Sequence, residues 1–107
     1  RPLFAASLGE SVAWIVRGAP EHPWTAREIS RRLHMGCSTL RRKLAAEGTS
    51  LREVLAGVRM EAARRLLASG EGNVSDAALA AGYASRSHFS RRYRAVHGLT
   101  PRQSRAG

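Results

Sequence analysis

A chain of 107 residues, 43% of them hydrophobic, suffices for one compact domain or two small lobes and is too apolar for disorder. Its formal charge of +10, from 18 Lys and Arg against 8 Asp and Glu, implies a polyanionic partner: nucleic acid, an acidic membrane surface or, less readily, an acidic protein. A single cysteine excludes an internal disulfide, no Cys/His spacing suits a metal, and no apolar run approaches the ~18 residues of a membrane span.

Ser7 can cap a first helix, with Glu10 three residues on as a capping box. The box could equally be accidental, with the helix beginning nearer Leu3. Leu8, Val12, Ile15 and Val16 then share one helical face, and Gly18 with Pro20 ends the helix. Thr25 to Glu28 (T-A-R-E) is a second capping box, with Trp24 placed to pack on Ile29 as a hydrophobic staple. That helix runs to about Leu33, His34-Met35-Gly36 makes a tight turn, and a third helix follows from about Cys37 to Glu47. Ser50 and Glu53 form another capping box and open a fourth helix, in which Leu51, Val54, Leu55, Val58, Ala62 and Leu66 follow at helical spacing. Its 19 or so residues at 1.5 Å rise give a rod of about 28 Å. Asn73 and Asp76 then repeat the places of Thr25 and Glu28. A short helix to about Ala80, a turn at Gly82 and a helix over about Ser85 to Val96 follow. Thr100-Pro101 opens a last turn, since proline suits a first helical position. No segment reads as a strand.

The chain thus says nearly the same thing twice. Ser38, Leu40, Arg42 and Lys43 match Ser87, Phe89, Arg91 and Arg92 at a constant offset of 49, whereas before the turn the offset is 48, so the first turn is one residue shorter. Each copy has the length and pattern of a helix-turn-helix, in which the second helix enters the major groove and the first braces it. On a helical wheel Cys37, Leu40 and Leu44 point inward, and Arg42 points away beside Ser38, Thr39 and Ala46; Arg41 lies nearer the core edge. In the second copy Phe89 and Tyr93 point inward, and Arg91 points outward beside Ser87 and His88. The projecting Arg, Ser, Thr and His side chains are all able to donate to base edges or phosphates. Arginine dominates: Lys43 is the one lysine, and Arg86 to Arg105 carries six arginines and no acid. Duplex DNA is the partner this arrangement suits best. A rod of about 28 Å, with packing, can set two such helices near one DNA turn (about 34 Å) apart, so a monomer can grip one face of the duplex.

The stretch Gly82-Tyr83, Ser85, His88-Phe89-Ser90-Arg91-Arg92-Tyr93 and Gly98-Leu99-Thr100-Pro101-Arg102 resembles the signature of AraC/XylS-type transcriptional regulators. Trp24-Thr25, Leu40-Arg41-Arg42, Gly48-Thr49-Ser50, Arg59, Ala63 and Leu66-Leu67 match the rest of that family's DNA-binding domain, so the resemblance covers essentially the whole chain. It implies an all-α fold of about seven helices: lobe one over about residues 3–48, a linker helix over about 50–68, and lobe two over about 70–107. Base contacts implied by position fall on Ser38, Arg41 and Arg42, and on Arg86, Ser87, His88 and Arg91; backbone contacts fall on Thr39, Lys43, Ser85 and Arg92. The chain departs from the family at Ser30 (usually Ala), at Gly36 (usually a capping Ser), and at Leu44 and Tyr83 (commonly Phe).

The function this implies is sequence-specific binding of an asymmetric promoter site by a bacterial regulator, an activator by preference, located in the cytoplasm. The resemblance implies RNA polymerase as a second partner; family members often carry a separate N-terminal effector or dimerisation domain, with whose removal a start at Arg1 is consistent, and stand-alone members exist too. No cofactor, metal or catalytic residue is expected. A nonspecific binder of RNA or nucleoid DNA is the alternative, but aromatic stacking platforms are lacking. An enzyme would need a carboxylate pair, a nucleophile–base set or a phosphate loop, and none is legible. Cys37 is expected as a small buried residue, and the rings of Trp14 and Trp24 as core.

Overall fold

The computed structural model describes residues 7–105. Among the described residues there are seven helices and no strand: α1 (Leu8–Arg17), α2 (Ala26–Arg32), α3 (Cys37–Ala46), α4 (Leu51–Ser69), α5 (Val74–Ala80), α6 (Arg86–His97) and α7 (Pro101–Ser104). The expected alternative start near Leu3 lies outside the described residues. Two compact units emerge, divided between Val58 and Arg59, inside α4.

The first unit packs α1, α2, α3 and the first half of α4 around Val12, Ala13, Val16, Ile29, Leu40, Leu44 and Val58. The N-caps form where the sequence placed them. Ser7 Oγ accepts from the Glu10 N–H at 3.1 Å, and Thr25 Oγ1 from the Glu28 N–H at 3.1 Å. Glu28 also bonds back to its cap, its Oε1 accepting from Thr25 Oγ1 at 3.4 Å. Glu10 lies 3.8 Å from Arg17, and Glu28 turns to His22 Nε2 at 2.8 Å. Trp24 is half-buried and packs against this core, and its Nε1 donates to the Ala19 carbonyl at 2.8 Å.

Two expectations fail here, and α4 adds a feature of its own. Trp14 is not core: it is 45% exposed, because Val12, Ala13 and Val16 already fill the buried face of α1 and Trp14 projects from another. Cys37 is half-buried, its Sγ 3.4 Å from Ser30 Oγ. The apolar positions of α4 do not form one stripe. Leu51, Val54, Leu55 and Val58 serve the first core, but the second half buries Met60, Ala63 and Leu67, while Ala62 and Leu66 are half-buried. A helix that contributes to two cores cannot keep one stripe, so the first half of α4 belongs to the one core and the second half to the other.

The second unit packs the second half of α4 with α5, α6 and α7 around Ala77, Ala78, Phe89 and Tyr93. Here the capping box is complete: Asn73 Oδ1 accepts from the Asp76 N–H and Asp76 Oδ2 from the Asn73 N–H, both at 2.9 Å. Thr100 and Gln103 close a second full box around Pro101.

Both helix-turn-helix turns close in the same way. In the first, the Met35 N–H reaches the Ser30 carbonyl and the His34 N–H the Arg31 carbonyl; in the second, Tyr83 reaches Ala78 and Gly82 reaches Leu79. These are paired Schellman closures, which need one residue at positive φ. Gly82 takes it at φ 83°, but in the first unit the residue is His34, at φ 56°. A side chain in that region costs about 1–2 kcal/mol. Gly82→Ala should therefore destabilise the second unit by about 1–2 kcal/mol, and His34→Gly should stabilise the first by up to about 1 kcal/mol after the entropy cost of glycine. Denaturant melts of the three proteins check this; a destabilised His34→Gly would contradict it.

Candidate nucleic-acid interface

The second helix of each pair is held by residues one turn apart. Leu40 and Leu44 on α3, and Phe89 and Tyr93 on α6, are fully buried. On α6 the anchor is aromatic: the rings of Tyr83 and Phe89 lie 5.7 Å apart, Phe89 and Tyr93 5.5 Å, and Tyr93 and His97 4.5 Å. Such tilted ring pairs add about 0.5–1.5 kcal/mol each beyond the area they bury. With the inner face fixed, the opposite face is fixed too.

On that outer face of α3, Ser38, Arg41, Arg42 and Lys43 are exposed and Thr39 is half-buried. Arg41, expected nearer the core edge, is open to solvent. On α6, Arg86, Ser87, His88, Arg91 and Arg92 are exposed. Ser85 is the N-cap of α6: its Oγ accepts from the His88 N–H at 3.3 Å, which leaves its hydroxyl proton to donate elsewhere. Gly36 caps α3 without a side-chain bond. Among the described residues, no carboxylate lies within ion-pair distance of Arg41, Arg42, Lys43, Arg86, Arg91 or Arg92. Each outer face is thus a set of donors with uncompensated positive charge.

The acids stand elsewhere. Glu28 is held below its ordinary carboxyl value of 4.5, chiefly by the hydrogen bond from His22, with desolvation opposing in part. Glu61 is lowered from the same value, chiefly by its hydrogen bond with Arg64 at 2.8 Å. Glu47, the C-cap of α3, was not singled out from the sequence. Its two carboxylate oxygens accept from the Leu8 and Gly9 N–H groups at 2.8 and 2.9 Å, so it caps α1 from a distance of 38 and 39 residues. No local spacing signals such a bond. It ties the end of α3 to the start of α1 and helps hold the outer face of α3 in place.

A family model described as a helix-turn-helix domain matches residues 29–107. The chain belongs to the AraC-type family of DNA-binding transcriptional regulators. Among curated relatives it is similar to the HTH-type transcriptional regulator YdeO of Escherichia coli, at 35% identity over 91% of this chain and 38% of the relative. The porin thermoregulatory protein EnvY of Escherichia coli matches at 31% identity, over 92% of this chain and 39% of the relative. The chain therefore spans about two-fifths of the length of these relatives. Among solved structures, a DNA-binding transcriptional dual regulator from Escherichia coli superposes with a TM-score of 0.81 at 29% identity, over 96% of this chain and 95% of the other. An AraC-type protein from Chromobacterium violaceum superposes at 0.79 with 25% identity, over 92% of this chain and 88% of the other. The AraC-type domain is thus an all-α DNA-binding domain, and no described helix is long and apolar enough to cross a membrane.

Two outcomes follow from the acids. Glu47→Ala should lower the stability of the first unit by about 1–2 kcal/mol, the loss typical of an N-cap, with Glu47→Gln intermediate; an unchanged melt would contradict it. A carboxyl whose folded pKa is depressed contributes stability above its unfolded value and loses it as pH falls through the folded one. Thermal melts should accordingly drop as pH falls below about 4.5, and Glu61→Gln should remove part of that drop. An identical pH profile for the variant would contradict the assignment.

Proposed function

We propose that this AraC-type domain binds duplex DNA sequence-specifically, each unit placing its second helix in the major groove. In the first unit Ser38, Arg41 and Arg42 contact bases, flanked by Thr39 and Lys43 on the backbone. In the second, Arg86, Ser87, His88 and Arg91 line the reading face, flanked by Ser85 and Arg92. The carrying observation is that both helices bury an apolar anchor and expose an acid-free face of donors. The two faces offer different donors, so the site read is asymmetric and the bound protein has a direction along it, with the two major-groove segments one turn apart.

Activation is the regulatory sign we propose, and RNA polymerase the partner it requires. A relative from Shigella flexneri, 27% identical, is described as a virulence regulon transcriptional activator. Effector binding or dimerisation would belong to a further N-terminal domain of a longer protein. The setting is the bacterial cytoplasm, where the chromosome is.

Binding of labelled duplexes tests this reading. A duplex enriched from a random library should outcompete random duplex by about 10³-fold or more at physiological salt. Arg42→Ala and Arg91→Ala should each cost about 1–3 kcal/mol and relax preference at different bases, one DNA turn apart. Equal weakening on all sequences would make both arginines phosphate contacts, and equal competition by random duplex would leave a nonspecific binder.

A further inference from the structure

A small recess in the second unit, of about 160 Å³, is lined by Asn73, Val74, Ser75, Arg86, Arg102 and Arg105. Arg86 is the first residue of α6, Arg102 lies in α7 and Arg105 is its C-cap. Three arginines from two separated stretches of chain thus line one small space. No acid lines it. Asp76, close by in sequence, has Oδ2 engaged 2.9 Å from the Asn73 N–H. None of the three arginine side chains has an ion pair or hydrogen bond among the described residues.

The other polar groups have a matching sign. Asn73 Oδ1 is taken by the Asp76 N–H, so what Asn73 has left is its amide N–H donors. Ser75 adds a hydroxyl. A site of donors and positive charge selects an oxyanion with several acceptor oxygens, and guanidinium forks match phosphate geometry in particular. Three like charges also repel one another across the recess, so an anion that enters relieves that repulsion.

We propose that this recess is a phosphate-binding site that takes a phosphodiester of the DNA backbone, and that Arg86 is a phosphate clamp there and not a base reader. The same donors would meet a free phosphate group. The duplex is favoured because Arg86 is followed on α6 by Ser87 and His88, both exposed, so a backbone phosphate seated in the recess lies next to bases within their reach. Base reading in the second unit then narrows to Ser87, His88 and Arg91. The inference rests on the DNA-binding reading above.

The test compares wild type, Arg86→Ala and the double variant Arg102→Ala/Arg105→Ala. All three arginines are exposed, so folding is expected to survive, and thermal melts verify it. Affinity is measured against salt for random duplex and for the best duplex enriched from a random library. Each variant should weaken both duplexes by the same factor. The slope of log affinity against log salt should become shallower by about 0.9 for each phosphate that the variant no longer neutralises. A neutral methylphosphonate at one backbone position of the enriched duplex should bring wild type down to the double variant. If wild type shows no preference for the enriched duplex, the specificity reading fails, yet the slope and methylphosphonate results still decide the recess. Arg86→Ala that narrows the enriched-to-random ratio overturns the clamp assignment, as does an unchanged salt slope. Saturable binding of inorganic phosphate that is abolished in the double variant, with unchanged DNA slopes, assigns the recess to a free phosphate group and also overturns it.

Discussion

The buried pairs Leu40/Leu44 and Phe89/Tyr93 are the constraint on which the remaining features depend. Each pair sits one helical turn apart, and together its two side chains fix both the depth and the rotation of their helix. Burying each large side chain stabilises by about 1.5–3 kcal/mol, and truncating a buried Phe costs about 3–5 kcal/mol. Once the helix cannot roll, the side chains between the anchors have no choice of direction. Arg42 and Arg91 face solvent because their neighbours face the core.

Electrostatics follows from that division. A charge of +10 on a small domain is self-repulsive. The acids do not neutralise it evenly. Glu10, Glu28, Glu53 and Asp76 occupy the first turns of helices, where the macrodipole favours a negative charge. Glu47 caps α1, and Glu61 pairs with Arg64 and Arg65 on α4. Stabilising the helices and leaving α3 and α6 uncompensated are one arrangement, not two. Among the described residues these acids form no ion pair with the cations of the outer faces, which therefore keep their attraction for a polyanion.

Much of this was legible because it is local. Caps at Ser7, Thr25, Asn73 and Thr100, and the turn at Gly82, depend on residues at most a few positions apart. The same holds for the inner and outer faces of α3 and α6. What escaped was set by tertiary partners. The stripe on α4 changes at Val58 and Met60 because two cores draw on one helix. Trp14 is large and apolar yet projects from the unburied side of α1. Glu47 reaches back 38 and 39 residues for its partners. The recess at Arg86, Arg102 and Arg105 likewise assembles only when α7 folds back beside the starts of α5 and α6; the sequence shows an arginine-rich tail but not its convergence. His34 is a different case, since nothing in its type announces the positive φ that Gly82 takes in the second turn.

The central claim is that two anchored helices read two major-groove segments. Interference by 7-deazapurines tests it most directly, because that change removes the N7 acceptor from the major-groove edge and leaves base pairing intact. On a duplex enriched from a random library, the account predicts two clusters of interfering positions about one helical turn, or 10–10.5 base pairs, apart. Arg42→Ala should abolish interference within one cluster and Arg91→Ala within the other. A single cluster, or binding indifferent to N7 throughout the site, would contradict it.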